Sequence, residues 1–578
     1  MSAALARALN HRVPPWRGRL VLGFILLGFA GLMVRAGYLQ GVKNDFLQER
    51  GQSRFSRVVE ISAHRGMITD RRGEPLAVST PVESVWASPT DVNAAAGQLE
   101  ALAAALELSP KELKARLADA TGREFVYLRR QMPPESAAQV AALQVNGVFL
   151  QREFRRYYPS AEMSAHLLGF TNVDDRGQEG LELAYDERLR GVPGSRRVIK
   201  DRRGQIVEDV ESIRAPKPGA VLALSIDRRI QYLAYRELRQ AVAQHRARAG
   251  AIVVLDARTG EVLALSNLPS FNPNDRAQAT PARVRNRAIT DAFEPGSTLK
   301  PFTVAAALEA GKFTPRTVLP TAAGSLTIGA ATVRDAHRHG DLTVAQIIQK
   351  SSNIGSAKIA LALPAEKLWR TLERSGFGAA SGSGFPGEVS GRLRPPASWR
   401  PIEQATISYG HGLSVNLLQL ARAYTIFATD GRLLPVSLER VDAPPAGEPV
   451  IAERTAREVR AMLELATEPG GTAPRARVPG YRTAGKTGTA RKLVGGQYVQ
   501  DRYVASFVGL APASRPRVVV AVMIDEPSAG EFYGGVVAAP VFARVVEGAL
   551  RALDVAPDAP MEQDVVNADG VPLIREEA

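Results

Sequence analysis

Glu294-Pro295-Gly296-Ser297-Thr298-Leu299-Lys300 sets a hydroxyl and an amine three residues apart, directly after a Pro-Gly break. Residues at i and i+3 share one face of a helix. The residues that follow Gly296 suit a helix, and Pro301 is tolerated in a first turn, so a helix is expected to begin near Ser297. Ser297 then stands at the positive end of that helix, among exposed backbone N–H groups. An alcohol is a weak nucleophile at neutral pH and needs a base within hydrogen-bond reach. Lys300 has the position for that role, provided desolvation or a second cation loosens its proton. Lys486 is the candidate second cation.

Two later fragments make the reading specific. Ser351-Ser352-Asn353 follows a predicted helix, Val344 to Lys350, that Thr343 and Gln346 open as a capping box. Ser351 and Asn353, two residues apart in an irregular loop, are expected to face a cleft, one as a proton relay and the other as an amide clamp. Lys486-Thr487-Gly488-Thr489 reads as a strand. Its period of two puts Lys486 and Gly488 on one side, with the glycine admitting a substrate backbone to the strand edge. The hydroxyls of Thr487 and Thr489, with Lys486, suit a carboxylate. Each fragment alone is common; together and in this order they form the S-x-x-K, S-x-N and K-T-G set of penicillin-binding proteins and serine β-lactamases.

Around this set, Ala251 to Asp256 and Glu261 to Ser266 read as a hairpin. Thr483 to Leu493, Tyr503 to Leu510 and Arg517 to Asp525 read as further strands. Helices are expected between them, at Lys300 to Ala310, Val344 to Lys350 and Leu417 to Ala428. A hairpin, a helical middle and a return to strands imply an antiparallel sheet covered by helices, over 219–556. Residues 41–218 read as a separate α+β domain, with Ser109 and Glu112 forming a capping box. They show no cluster of catalytic groups. Ala215-Pro216-Lys217-Pro218-Gly219 is the expected linker, and 557–578 is expected to be a polar, mostly acidic, disordered tail.

Leu20 to Val34 is an unbroken apolar run, and with only Arg35 interrupting it continues to Leu39. That is long enough to span ~30 Å of hydrocarbon. Arg7, Arg12, Arg17 and Arg19 precede it, so 1–19 is expected in the cytoplasm, 20–40 in the membrane and the remainder outside. The chain has no cysteine, which excludes disulfides and thiolate metal sites. A net charge of +14 fits an anionic neighbour. No zinc-finger, RNP or Walker pattern points that charge towards nucleic acid. His337 and His339 form an H-x-H with no third ligand in evidence and are read as exposed loop residues. Glu531 to Gly535 is read either as a border of the cleft or as plain turn residues.

At these motifs the chain resembles the class B penicillin-binding proteins, and most of all their septal branch. Arg65-Gly66, Asp70-Arg71, Gly73, Gly180-Leu181-Glu182 and Tyr185 resemble the family's non-catalytic pedestal. Asn286-Arg287-Ala288, Phe293 to Ser297 and Lys350 to Asn353 resemble the septal transpeptidases. The resemblance implies a serine D,D-transpeptidase that needs no cofactor or metal, acting on peptidoglycan stem peptides and the lipid-linked precursor, and acylated by β-lactam antibiotics. It implies catalytic roles for Ser297, Lys300, Ser351, Asn353 and Lys486, and substrate or β-lactam contacts for Ser352, Thr487, Gly488 and Thr489. The Ser297 and Thr489 backbone amides would form the oxyanion hole. A SEDS-family glycan polymerase (FtsW), other divisome membrane proteins and the bacterial inner membrane are the implied partners. Ser352 departs from the S-D-N form of the β-lactamases, and slow hydrolysis of the acyl-enzyme is expected. The same motifs also fit an elongation-type class B enzyme, or a β-lactam-binding sensor or scaffold without turnover. A bifunctional class A enzyme is disfavoured, because 41–218 holds no glycosyltransferase motif.

Overall fold

The computed structural model describes residues 15–39 and 56–560, apart from 93, 121, 124 and 201–205. The greater part of the acidic tail, 561–578, therefore lies outside the described residues, as do residues 1–14 and residue 40 of the membrane segment. Within them Pro15–Gly37 is one 23-residue helix, apolar and long enough to cross a membrane.

The chain divides into two compact units that are not contiguous in sequence. One contains 82–153 and 192–217. In it Val126–Met132 pairs antiparallel with the second half of the strand Pro75–Ala87. The helices Ala96–Ala105, Pro110–Asp119 and Pro134–Ala142 pack on this layer through Leu102, Leu113, Val140 and their neighbours. The predicted capping box is present, with Ser109 Oγ accepting from the Glu112 N–H and Glu112 accepting from the Ser109 N–H. In the same unit Gly194–Lys200 pairs with both Ser56–Ile61 and Ile206–Arg214.

The other unit contains 64–81, 154–191 and 218–578. Its centre is a five-stranded antiparallel sheet of β1 (Ala249–Asp256), β2 (Val262–Leu268), β3 (Ala484–Val494), β4 (Gln497–Ala511) and β5 (Val518–Asp525), in the order β2-β1-β5-β4-β3. Every residue of β1 and β5 is buried. Such continuous apolar strands require a cover on both faces. Ile252 and Val254 of β1 face a cluster that includes Ile230, Ala234 and Leu238 of α1 (Arg228–Gln244). The alternate residues Ala251, Val253 and Leu255 join a second cluster with α2 (Lys300–Glu309), α3 (Val344–Lys350) and α5 (Leu417–Ala428). Helix α4 (Asn353–Leu361) follows α3, and α6 (Ala539–Ala552) lies with α1 in the first cluster. Burial of each large aliphatic side chain in these layers contributes about 1.5–3 kcal/mol.

The predicted hairpin, the three later strands and the helices at 300, 344 and 417 all form; the strand expected from Tyr503 begins earlier, at Gln497, and the other bounds lie within a few residues of those expected. Strand β3 is at the sheet edge. That leaves alternate backbone N–H and C=O groups of the Lys486-Thr487-Gly488-Thr489 segment without a strand neighbour.

Candidate active site

The serine turn differs from the helix start read in the sequence. Gly296 to Leu299 forms a 3-10 turn, and α-helix begins only at Lys300. Gly296 has φ +56°, a left-handed conformation that favours glycine, and bends the chain into the turn. Thr298 Oγ1 donates to Pro295 O at 2.7 Å, and Tyr424 Oη donates to Thr298 O at 2.7 Å, so both sides of Ser297 are fixed. Ser297 is 7% exposed and Lys300 is fully buried.

The Ser351 to Asn353 segment is a corner between two helices, not an irregular loop. The capping box predicted at Thr343 and Gln346 opens α3. Ser351 ends α3 with φ +61°, and Ser352 caps the N-terminus of α4 by accepting from the Gly355 N–H at 2.9 Å. This left-handed residue turns Ser351 and Asn353 onto one amine. Lys300 Nζ lies 2.7 Å from Ser297 Oγ, 2.6 Å from Ser351 O, 3.0 Å from Ser351 Oγ and 2.7 Å from Asn353 Oδ1. Asn353 Nδ2 donates to Arg334 O at 3.3 Å, which sets the amide with its oxygen towards Lys300.

The amine is surrounded by oxygens. The Ser351 carbonyl and Asn353 Oδ1 only accept, so they take two N–H donors. When the amine is neutral, its lone pair is the group left to accept the Ser297 hydroxyl proton, with Ser351 Oγ also within reach.

Ser352, expected among the substrate contacts, is placed otherwise. It is 1% exposed, and its hydroxyl donates to Asp335 Oδ2 at 2.6 Å while accepting from Gly355. Its part is to cap a helix. Asp335 was not singled out in the sequence. Its other oxygen accepts the Asn353 N–H at 2.6 Å and the Ile354 N–H at 3.0 Å, so one carboxylate from a loop after Ala331–Arg334 holds the corner. The negative group that an S-D-N motif carries in its middle position is here brought in from seventeen residues upstream. Asp335→Ala leaves three donors unsatisfied. We expect it to cost about 1–3 kcal/mol of stability and to slow acylation of Ser297 about tenfold, the equivalent of ~1.4 kcal/mol. Thermal melting and stopped-flow acylation with a chromogenic β-lactam check both.

On β3, Lys486 is fully buried, and its Nζ donates to Thr487 Oγ1 at 3.0 Å. Thr487 Oγ1 also meets Thr472 Oγ1 at 3.0 Å, and Thr489 Oγ1 accepts the Gly534 N–H at 3.1 Å. Gly534 and Gly535 therefore brace the strand: a Cβ on Gly534 would lie 2.6 Å from Gly488 O, and one on Gly535 would lie 2.3 Å from Thr472 O.

Gly488 has a second reason besides the one expected. A Cβ there would meet Pro295 O at 2.8 Å, Ser506 Oγ at 2.5 Å and Thr298 Cγ2 at 3.0 Å. The glycine lets the strand close on the serine turn itself. Gly488→Ala is expected to push that turn away, costing about 1–3 kcal/mol and slowing acylation more than tenfold; the same acylation assay measures it.

A cleft of about 310 Å³ opens beside Asn353, with Arg334, Tyr409, His411, Arg491 and Tyr498 in its wall. Glu294, next to the serine turn, accepts the Gly412 N–H at 2.7 Å and Tyr498 Oη at 2.9 Å, and lies 3.1 Å from His411 Nδ1. Burial opposes the charge on Glu294. Its contacts to His411, Gly412 and Tyr498 outweigh burial and hold the carboxyl below its ordinary value. His337 is exposed and His339 partly so, and the described residues contain no group of metal-binding side chains.

The site thus gathers a serine, a lysine hydrogen-bonded to it, a second serine and an asparagine on the same amine, and a lysine strand packed on the serine turn. Those are the parts of the penicillin-recognising acyl-transfer fold. The chain belongs to the class B penicillin-binding proteins: residues 250–547 match the penicillin binding protein transpeptidase domain, and 60–224 match the penicillin-binding protein dimerisation domain. It is 46% identical over 545 residues to the probable peptidoglycan D,D-transpeptidase PenA of Neisseria meningitidis, covering 94% of this chain and 93% of that one. It is 45% identical over 551 residues to the peptidoglycan D,D-transpeptidase FtsI of Escherichia coli, with the same coverage of each. The apo transpeptidase domain of Burkholderia pseudomallei penicillin-binding protein 3 is similar in structure, with a TM-score of 0.54 and 50% identity over 58% of this chain and 98% of that one.

Proposed function

We propose that this chain is a serine D,D-transpeptidase that cross-links peptidoglycan stem peptides at the division septum. The observation that carries the reading is the 2.7 Å contact between Lys300 Nζ and Ser297 Oγ, inside a site where the same amine also reaches Ser351 and Asn353. Lys300 takes the Ser297 proton as Oγ attacks the penultimate D-Ala carbonyl carbon. The backbone amides of Ser297 and Thr489 stabilise the tetrahedral oxyanion. The C–N bond to the terminal D-Ala breaks, Ser351 passes a proton to the leaving amine, and an ester remains on Ser297. An amine of a neighbouring stem peptide attacks that ester, gives its proton back through Lys300 and restores the hydroxyl. Asn353 clamps the substrate amide, and Lys486, Thr487 and Thr489 hold its terminal carboxylate.

A β-lactam enters the same sequence. Its ring C–N bond breaks, yet the leaving nitrogen stays tethered, so the ester persists. The carboxypeptidase outcome, with water as acceptor, is the same chemistry at a lower rate.

The Pro15–Gly37 helix anchors the chain in the inner membrane, its N-terminal arginines in the cytoplasm and 41–578 in the periplasm. Residues 41–218 act as the pedestal and 219–556 as the catalytic domain. Glycan polymerisation falls to a SEDS-family partner of the FtsW type, with other divisome membrane proteins around it. The similarity to FtsI supports the septal assignment. Depletion of the protein tests it: cells that grow as filaments support the septal role, and cells that round up assign the enzyme to the lateral wall.

A further inference from the structure

A cavity of about 700 Å³ lies between α1, α6 and the segment 468–483. Val478, Val536, Val537 and Pro540 make it partly apolar. Arg475, Arg477, Arg482, Arg544 and His245 make it cationic, and Glu468 is the one carboxylate in its lining. Two of the arginines are engaged from outside the lining, Arg544 by Glu237 and Arg482 by Glu464; Arg477 approaches Glu468 only to 4.0 Å. Burial and the neighbouring Arg475 and Arg544 hold the His245 imidazole below its ordinary value, against the pull of Glu531. The local field therefore favours an anion.

The chain itself is led to this cavity. Tyr481 Oη donates to Val555 O at 2.7 Å, the Asp558 carboxylate accepts the Arg482 N–H at 2.8 Å, and the Asp558 and Ala559 N–H groups both approach Gly480 O at 3.1 Å. These contacts deliver Ala559 and Pro560 to the cavity wall. Eighteen residues of sequence follow. They carry five carboxylates (Glu562, Asp564, Asp569, Glu576 and Glu577) against one arginine, in a chain whose net charge is +14. Met561, Val565 and Val566 alternate with the first acids, which matches an apolar cavity ringed by cations.

We propose that this cavity docks the chain's own sequence directly after Pro560, Met561 to Asp569, in cis. Six residues reach ~20 Å in extended form, enough to cross a cavity of this size. Tethering at Pro560 raises the effective concentration to about the millimolar range, so weak apolar and ionic contacts suffice. The inference is independent of the reaction at Ser297.

The chain has no cysteine, so introduced thiols report without background. In the full-length protein, Val478→Cys is combined in turn with Gln563→Cys and with Val571→Cys, and disulfide formation is followed at low and high salt. β-Lactam acylation of each variant verifies that it is folded. Docking predicts an intramolecular cross-link from 563 roughly tenfold faster than from 571, slowed by salt. Equal rates from both positions, or cross-links only between two copies, would overturn it. Hydrogen exchange gives a second reading on unlinked protein: the segment 474–482 should exchange faster in a chain ending at Pro560 than in the full chain. Unchanged exchange refutes docking.

Discussion

Lys300→Ala will leave Ser297 in place and remove its acylation by β-lactams, with a fall in the acylation rate of about 10²–10⁴-fold, the range a positioned base supplies. The reason is in the geometry. Lys300 Nζ links Ser297 Oγ, Ser351 Oγ and Asn353 Oδ1. Its removal takes away the proposed proton acceptor and the tie between two motifs at once. Lys300→Arg is not expected to rescue the rate, because a guanidinium stays protonated and has no lone pair to offer. A purely structural lysine would behave differently, since Arg would then restore part of the function. Stopped-flow acylation of the two variants, with circular dichroism to confirm folding, separates these cases.

Glu182→Ala will destabilise the catalytic unit although Glu182 touches no catalytic group. Glu182 is fully buried and binds two arginines: Arg65 at 2.7 Å through Oε2 and Arg156 at 2.6 Å through Oε1. Arg65 reaches further to Asp186 at 2.8 Å and to the carbonyls of Asp175 and Glu182 at 3.0 Å. Burial opposes the charge on Arg65, and these acids outweigh it and hold the guanidinium above its ordinary value. The cluster is not costless, for burial pushes the Asp175 carboxyl up to about 6 against the pull of Arg65 and Arg156. Deleting Glu182 takes a buried carboxylate from both arginines and leaves Arg65 with Asp186, a loss of about 3–5 kcal/mol. Against a total stability of about 5–15 kcal/mol that is a large share. Chemical denaturation should show it, with Glu182→Gln intermediate. An unchanged midpoint for Glu182→Ala would refute the role.

Local rules made the helices and strands of the catalytic unit readable. The helix at 344 carried its own capping box, and β1 and β5 are uninterrupted apolar runs that only a buried strand accommodates. The three motifs were readable as residue types in order, and the fold brings Ser297, Ser351 and Asn353 onto the Lys300 amine. What escaped were features made by tertiary approach. Asp335 has no local pattern, and its value lies in meeting Ser352 across a turn. Gly488 was explained by substrate access, and its neighbour proved to be the Pro295 carbonyl. The α-helix starts three residues after Ser297 because Gly296 adopts a left-handed bend that residue type permits and spacing does not reveal. Likewise, 64–81 and 154–191 fall in one compact unit with 218–578, an association that depends on contacts between residues far apart in sequence, such as Arg65 with Glu182.

The proposed reaction stands on Ser297 as its nucleophile. Intact-protein mass spectrometry after incubation with benzylpenicillin, followed by peptide mapping, tests it most directly. One adduct of the antibiotic's full mass is expected, on the peptide that contains Ser297, and none in Ser297→Ala. An adduct that persists in Ser297→Ala, or maps to another residue, would contradict it.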